Sequence, residues 1–304
     1  MDRAPRHQVC NMKGRVRIEL EPCDLSELYA RGWHEPEVVE VLAADSVTRL
    51  YGIVYLPFDR EPGRKYPIIS NVYPGPHVDL VPQAFTLDDN YNQSLAQLGF
   101  VVINFAYRGS GPWRGRDFHT FGYGNLRDYA LADDMAAIRQ IAERYPCADI
   151  EKVGIYGHSG GGFMTVAAML NHPEFYKVGV AASGNHDNNI YSQWGETFHG
   201  VKQTWGKDGK PHFECHIPTN IELADRLAGR LLLITGDMDN NVHPASTARL
   251  ADALIRARKR FDMTVIPGAD HGLGNSYYVN LIRYYFTEHL LGLPQQEIDI
   301  VKHN

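Results

Sequence analysis

From residue 49 onward the chain alternates short runs of β-branched and aliphatic residues with longer amphipathic segments. The runs YPIISNVYP, FVVINFA, KVGIYG, KVGVAAS, RLLLITG and FDMTVIP read as strands. The later ones are unbroken apolar stretches rather than alternating ones, which suits central parallel strands buried on both faces. Between the runs lie helical patterns. Within 125–144, Leu131, Met135, Ile138 and Ala142 fall at i, i+4, i+7 and i+11, one stripe of a helix. Near the end, Tyr278, Leu281, Ile282, Tyr285, Phe286 and His289 repeat that stripe more fully. These rows read as core faces, not as cofactor boxes. The alternation predicts an α/β protein with a mostly parallel central sheet and helices on both faces.

Residues 1–47 differ: they are polar, proline-punctuated and weakly periodic, with VVEVL as one plausible strand. They read as an N-terminal extension packing on the core, and 48–304 as the main domain. Residues 184–218 are expected to be the longest irregular stretch, rich in aromatic and polar residues. Loops of that length inside compact domains are usually functional. No internal repeat or low-complexity tract stands out.

Composition narrows the classes. At 304 residues, 44% hydrophobic and 22% charged, the chain is long enough and apolar enough for one large folded domain with an extra piece. A net charge of -6 offers no basic stripe for nucleic acid. The N-terminus has no apolar core of signal-peptide length, and no stretch approaches the ~18 apolar residues of a membrane helix. A cytoplasmic location is the expectation, with an exported parent protein compatible if the chain is a fragment. The four cysteines, Cys10, Cys23, Cys147 and Cys215, lack a C-x-x-C spacing and are expected reduced. His212, Cys215 and His216 gather in PHFECHIP, yet no fourth ligand accompanies them, so a proline-flanked polar loop is the expectation and no metal is assigned.

The segment KVGIYGHSGGGFMT carries the chemistry. Gly157-His158-Ser159-Gly160-Gly161 matches G-x-S-x-G between a predicted strand and a predicted helix, the setting of a nucleophile held on a sharp turn. A serine hydroxyl is a poor nucleophile at neutral pH. It needs a histidine to take its proton and a carboxylate to hold that imidazole. In the order Ser, Asp, His, the loop after RLLLITG supplies Asp237 and Asp239, and the loop after FDMTVIP supplies His271. Among fourteen histidines, His271 is singled out by its place after the last predicted strand and beside Gly272. His243 and His186 rank behind it, and Asp270 reads as structural. One oxyanion donor follows from elbow geometry, the backbone N–H of Gly160. The second does not emerge from spacing.

These residues resemble the prolyl oligopeptidase family of serine peptidases, in its dipeptidyl peptidase IV-like branch. The resemblance spans residues 35–292, with KYPIISNVYPGP, NFAYRGSG, YGHSGGGFMT, GNHDNN, TGDMDNNVHP and ADHG in the family's order. It implies an α/β-hydrolase fold, Ser159 as nucleophile, His271 as base and Asp239, rather than Asp237, as the triad acid. It also implies the Tyr73 hydroxyl as second oxyanion donor and Asn241 as a holder of the substrate carbonyl. Tyr191, Trp194 and Phe198 fall where the family lines its specificity pocket. Two departures stand out. Family members that cleave after proline usually carry an aromatic residue where this chain has Gly160. Full members also carry an N-terminal β-propeller, for which 47 residues are too few, so that segment is at most its remnant.

The function expected is therefore that of a serine hydrolase acting on short peptides through an acyl-enzyme, with no metal or organic cofactor. A carboxylesterase using the same triad is the alternative, and a non-catalytic interaction module of hydrolase fold ranks third. The expected partner is a short peptide or ester, with no nucleic acid or membrane, and a homo-oligomer is left open.

Overall fold

The computed structural model describes residues 4–21, 23–191, 195–274 and 276–293. Its strands are β1 (Gln8–Cys10), β2 (Val16–Glu19), β3 (Glu37–Leu42), β4 (Arg49–Tyr55), β5 (Tyr66–Asn71), β6 (Val101–Phe105), β7 (Ala148–His158), β8 (Tyr176–Ala182), β9 (Lys202–Trp205), β10 (Pro211–Glu214), β11 (Arg230–Gly236) and β12 (Asp262–Ile266). Its helices are α1 (Ser26–Ala30), α2 (Asn92–Ala96), α3 (Arg116–His119), α4 (Leu131–Arg144), α5 (Gly160–Asn171), α6 (Ala245–Arg256) and α7 (Ser276–Phe286).

Eight strands form one sheet in the order β12-β11-β8-β7-β5-β6-β4-β3. The six from β12 to β6 are parallel, and β4 and β3 continue antiparallel at one edge. The apolar runs form these parallel strands, and β5, β6, β8 and β11 are almost wholly buried. FDMTVIP, expected among the central buried strands, instead forms the edge strand β12, in which only Ile266 is buried because, among the described residues, no strand covers its outer side. Helices α4, α5 and α6 cover one face, contributing Ile138, Ile141, Val166, Leu170, Leu250 and Leu254 to its core. Helices α2 and α7 cover the other, with Leu95, Tyr278, Ile282 and Phe286. The mixed, mostly parallel sheet with helices on both faces is the arrangement of the α/β-hydrolase fold.

Two segments are more ordered than their sequence suggests. VVEVL lies in β3, which pairs with β4 along its length, so the sheet itself begins within the first 47 residues. Part of the stretch expected to be irregular forms the β9–β10 hairpin, turned at Gly206-Lys207-Asp208-Gly209, where Gly209 takes φ of 74°. An Asp-Gly pair is a recognised hairpin turn, and this one was masked by the polar composition around it.

Candidate active site

The parallel strands end on one side of the sheet, and the residues of interest leave from those ends, as α/β sheets commonly arrange them. Tyr73 follows β5, Ser159 follows β7, Asp239 follows β11 and His271 follows β12.

Ser159 sits between β7 and α5 with φ of 57° and ψ of -119°. This conformation costs a non-glycine residue on the order of 1–3 kcal/mol and persists only where the surroundings enforce it. The enforcement is visible. The Ser159 N–H donates to the Ala182 carbonyl at 2.8 Å, and its own carbonyl accepts the Phe163 N–H at 3.0 Å, opening the helix. The flanking glycines let backbones touch: a Cβ on Gly161 would lie 2.0 Å from the Val72 oxygen, and one on Gly157 2.4 Å from it. Helix α5 therefore begins pressed against the end of β5, which brings Tyr73 over the turn.

Burial raises the Tyr73 phenol above its ordinary pKa, and the neighbouring Ser159 side chain pulls it back in part. A Cβ on Gly160 would stand 3.9 Å from the Tyr73 hydroxyl oxygen, so the hydroxyl and the start of α5 face the same small space. As the first residue of α5, Gly160 has an N–H with no intrahelical acceptor, at the positive end of the helix dipole.

Of the two aspartates after β11, Asp239 meets His271. Its Oδ2 lies 2.8 Å from His271 Nδ1 and its side chain is fully buried. Its Oδ1 accepts the Asn241 and Val242 N–H groups, both at 2.9 Å, which fixes the carboxylate plane. Asp237 instead accepts the Gly268 N–H at 2.6 Å, and Asp270 accepts the Gly272 N–H at 3.0 Å, both in exposed turns. His243 accepts the Ala245 N–H at the start of α6, while His186 is fully buried against Asn220. In the loop with Cys215, His212 lies toward Asp208 and His216 toward Glu222.

The His271 backbone is held by two side chains that the sequence pattern did not single out for this. His158 Nε2 donates to the His271 carbonyl at 2.5 Å and Ser183 Oγ donates to the same oxygen at 3.2 Å. The two imidazoles stand 4.6 Å apart. Burial lowers the His158 pKa, with the His271 carbonyl opposing in part. A neutral His158 ring is thereby favoured.

A recess opens beside Ser159. It is lined by Tyr73, Gly160, Leu126, Tyr129, Phe163, Asn185, Asn188, Tyr191 and the turn Pro74-Gly75-Pro76. Of the residues expected to shape a substrate site, Tyr191 lines this recess and donates from its hydroxyl to Asn241 Oδ1 at 2.7 Å. Asn241 lies in a neighbouring groove with His243 and Asn240. Phe198 packs to the side, its ring 6.2 Å from that of His77. Trp194 lies outside the described residues. Leu126, Tyr129 and Phe163 went unseen in the sequence because each reads as ordinary core. Asn185 and Asn188 sit within the motif GNHDNN, which pointed at them without a role.

Among the described residues no group of three or more His, Cys, Asp or Glu side chains could hold a metal ion, and no helix is long and apolar enough to cross a membrane.

Comparison with known proteins agrees with the fold. Residues 86–293 match the model of the prolyl oligopeptidase family. The chain is 30% identical over 260 residues to dipeptidyl peptidase 8 of Homo sapiens, an alignment covering 81% of this chain and 28% of that protein. Dipeptidyl peptidase 4 of Porphyromonas gingivalis superposes with a TM-score of 0.80 at 25% identity, over 94% of this chain and 40% of that one. A Bacteroides ovatus protein described as a dipeptidyl aminopeptidase IV gives 0.78 at 28% identity, with the same coverage. The chain thus spans less than half the length of these relatives. With a family match over more than half of its residues, the chain belongs to the prolyl oligopeptidase family of serine peptidases, as a dipeptidyl-peptidase-like catalytic domain.

Proposed function

We propose that this protein hydrolyses short peptides through an acyl-enzyme formed on Ser159. The observation that carries the reading is the buried Asp239 carboxylate on His271 Nδ1, at 2.8 Å, on the strand-end face where Ser159 is held on its strained turn. In this mechanism Ser159 Oγ attacks the substrate carbonyl while His271 Nε2 takes its proton. Asp239 holds the imidazole in the tautomer that leaves Nε2 free and stabilises the cation that forms. The Tyr73 hydroxyl and the Gly160 N–H receive the negative charge on the carbonyl oxygen. His271 then gives its proton to the leaving amine, and water repeats the sequence to release the acid and regenerate Ser159. Asn241, beside Tyr191, is assigned to the substrate carbonyl next to the cleaved residue.

The assignment is tested by assaying the protein and its Ser159→Ala variant on a dipeptidyl anilide, an N-blocked peptide anilide and a short-chain aryl ester. Anilide cleavage reduced at least ~10⁴-fold in the variant is the expected result. The free and blocked amines separate a dipeptidyl preference from cleavage that ignores the amino terminus. Ser159-dependent hydrolysis of the ester alone would replace the peptidase reading with a carboxylesterase. Equal rates for both proteins on every substrate would leave a hydrolase-fold interaction module.

A further inference from the structure

We propose that Ser183 and His158 are positioning residues that hold His271 in register with Ser159 by gripping its backbone carbonyl. The inference rests on the acyl-transfer reading above and concerns what aims its base. His271 lies on the loop between β12 and α7, and Asp239 meets its ring at Nδ1. A carboxylate at one ring nitrogen leaves the imidazole free to swing with its backbone, whereas proton transfer needs Nε2 within about 3 Å of the serine hydroxyl. The backbone has to be fixed as well.

Ser183 does this from a backbone conformation that serine seldom adopts. It directly follows β8, with φ of 46°, and is fully buried. Glycine would occupy that conformation without steric cost. What serine adds is the hydroxyl, and Ser183 Oγ donates to the His271 carbonyl at 3.2 Å. Strain of this kind persists only where the surroundings enforce it, and it clusters at functional sites.

The same stretch of backbone reaches the other two members of the triad. The Ala182 carbonyl accepts the Ser159 N–H at 2.8 Å, and the Ser183 N–H donates to the carbonyl of Ile234, in β11, also at 2.8 Å. Residues 182 and 183 thus touch the nucleophile's amide, the base's carbonyl and the strand from which Asp239 departs. From the other side, His158 Nε2 donates to the His271 carbonyl at 2.5 Å, and the two rings stand 4.6 Å apart. A carbonyl oxygen has two lone pairs, and these two donors fill both. His158 is the residue before Ser159, and β7 pairs with β8, so base and nucleophile are tied to the same two adjacent strand ends.

Ser183→Gly removes the hydroxyl and relieves the backbone, which separates positioning from folding. It is expected to lower kcat on a peptide anilide about 10- to 100-fold, with KM changed less than about twofold and the urea midpoint held at the intact protein's value. His158→Phe keeps an aromatic ring without a donor and is expected to lose kcat to a similar degree. His158→Gln keeps an N–H at a comparable reach and is expected to recover most of it. A readout without turnover is the low-field proton NMR signal of the hydrogen bond between His271 Nδ1 and Asp239, assigned by its absence from Asp239→Asn. That signal is expected to broaden or vanish in Ser183→Gly and His158→Phe and to persist in His158→Gln. If the signal behaves in this way while the intact protein cleaves neither anilide nor ester, the grip on His271 stands and only the acyl-transfer reading fails. Unchanged kcat, or an unchanged signal, in both Ser183→Gly and His158→Phe overturns the proposal, as does equal loss of kcat in His158→Gln and His158→Phe. A loss of kcat in Ser183→Gly that tracks a lowered urea midpoint also overturns it, as the mark of a purely structural role.

Discussion

Tyr73 illustrates how much a single side chain can do without leaving a pattern in the sequence. Nothing in the spacing of NVYPGP marks its hydroxyl as a partner of Ser159, because the two meet only when α5 begins against the end of β5. If that hydroxyl receives the developing oxyanion, Tyr73→Phe is expected to lower kcat about 10²- to 10³-fold with KM changed much less, since the contact strengthens in the transition state. Steady-state kinetics on one anilide checks this, and a change confined to KM would assign Tyr73 to ground-state binding instead. Asp239 and His271 were legible for a different reason. Each follows an apolar run that reads as a late strand, and the chain order Ser, Asp, His is itself a signal. The choice between Asp237 and Asp239 was not legible from residue type. It depends on which carboxylate turns inward toward His271, and the Asn241 and Val242 amides do that for Asp239.

At the scale of elements, the glycines around Ser159 divide into those that admit a neighbour and those that do not. Gly161 and Gly157 touch the Val72 carbonyl, whereas a Cβ on Gly160 would make only ordinary contact, 3.7 Å, with the Tyr73 ring. Gly161→Ala is therefore expected to push α5 away from β5 and cost about 2 kcal/mol or more of stability, with most of the activity lost. Gly160→Ala is expected to be tolerated, or to stabilise by about 0.5 kcal/mol, because it adds no clash and restricts the unfolded chain. Urea unfolding of the two variants side by side distinguishes them, and equal losses would contradict the close approach of α5 to β5. The sequence showed a glycine-rich turn between strand and helix. It did not show which glycine touches which backbone, since Val72 is more than eighty positions away in the chain. The β9–β10 hairpin was hidden for a related reason: every residue of its two strands is exposed, so it has no buried face to impose an apolar alternation.

For the whole molecule, buried histidines couple the fold to pH. His186 is fully buried, and burial pushes its imidazole down to about 3, against an ordinary value of about 6.5 when unfolded. Between those values the unfolded chain binds a proton that the native protein refuses. The stability from keeping this ring neutral is thus complete above about pH 6.5 and is lost as the pH falls toward 3, by up to about 1.4 kcal/mol per unit for this one group. His158, also lowered by burial, acts in the same direction. Urea midpoints measured at pH 8, 6.5 and 5 are expected to decline toward acid, and His186→Asn is expected to flatten that slope even if it lowers stability throughout. An unchanged slope would place the acid sensitivity elsewhere.

The amino-acid order alone was enough to set the class of fold, the identity of the parallel strands and the turn that carries Ser159. Those properties depend on local periodicity and on apolar runs, which the chain displays wherever it is cut. The pairing of Asp239 with His271, the reach of Tyr73 to Ser159 and the hold of His158 and Ser183 on the His271 carbonyl came from stacking β5, β7, β8, β11 and β12 side by side. So did the recess beside Ser159. Each of these contacts joins residues distant in sequence across strand ends about 5 Å apart, and which ends become neighbours is a property of the sheet order, not of any one segment.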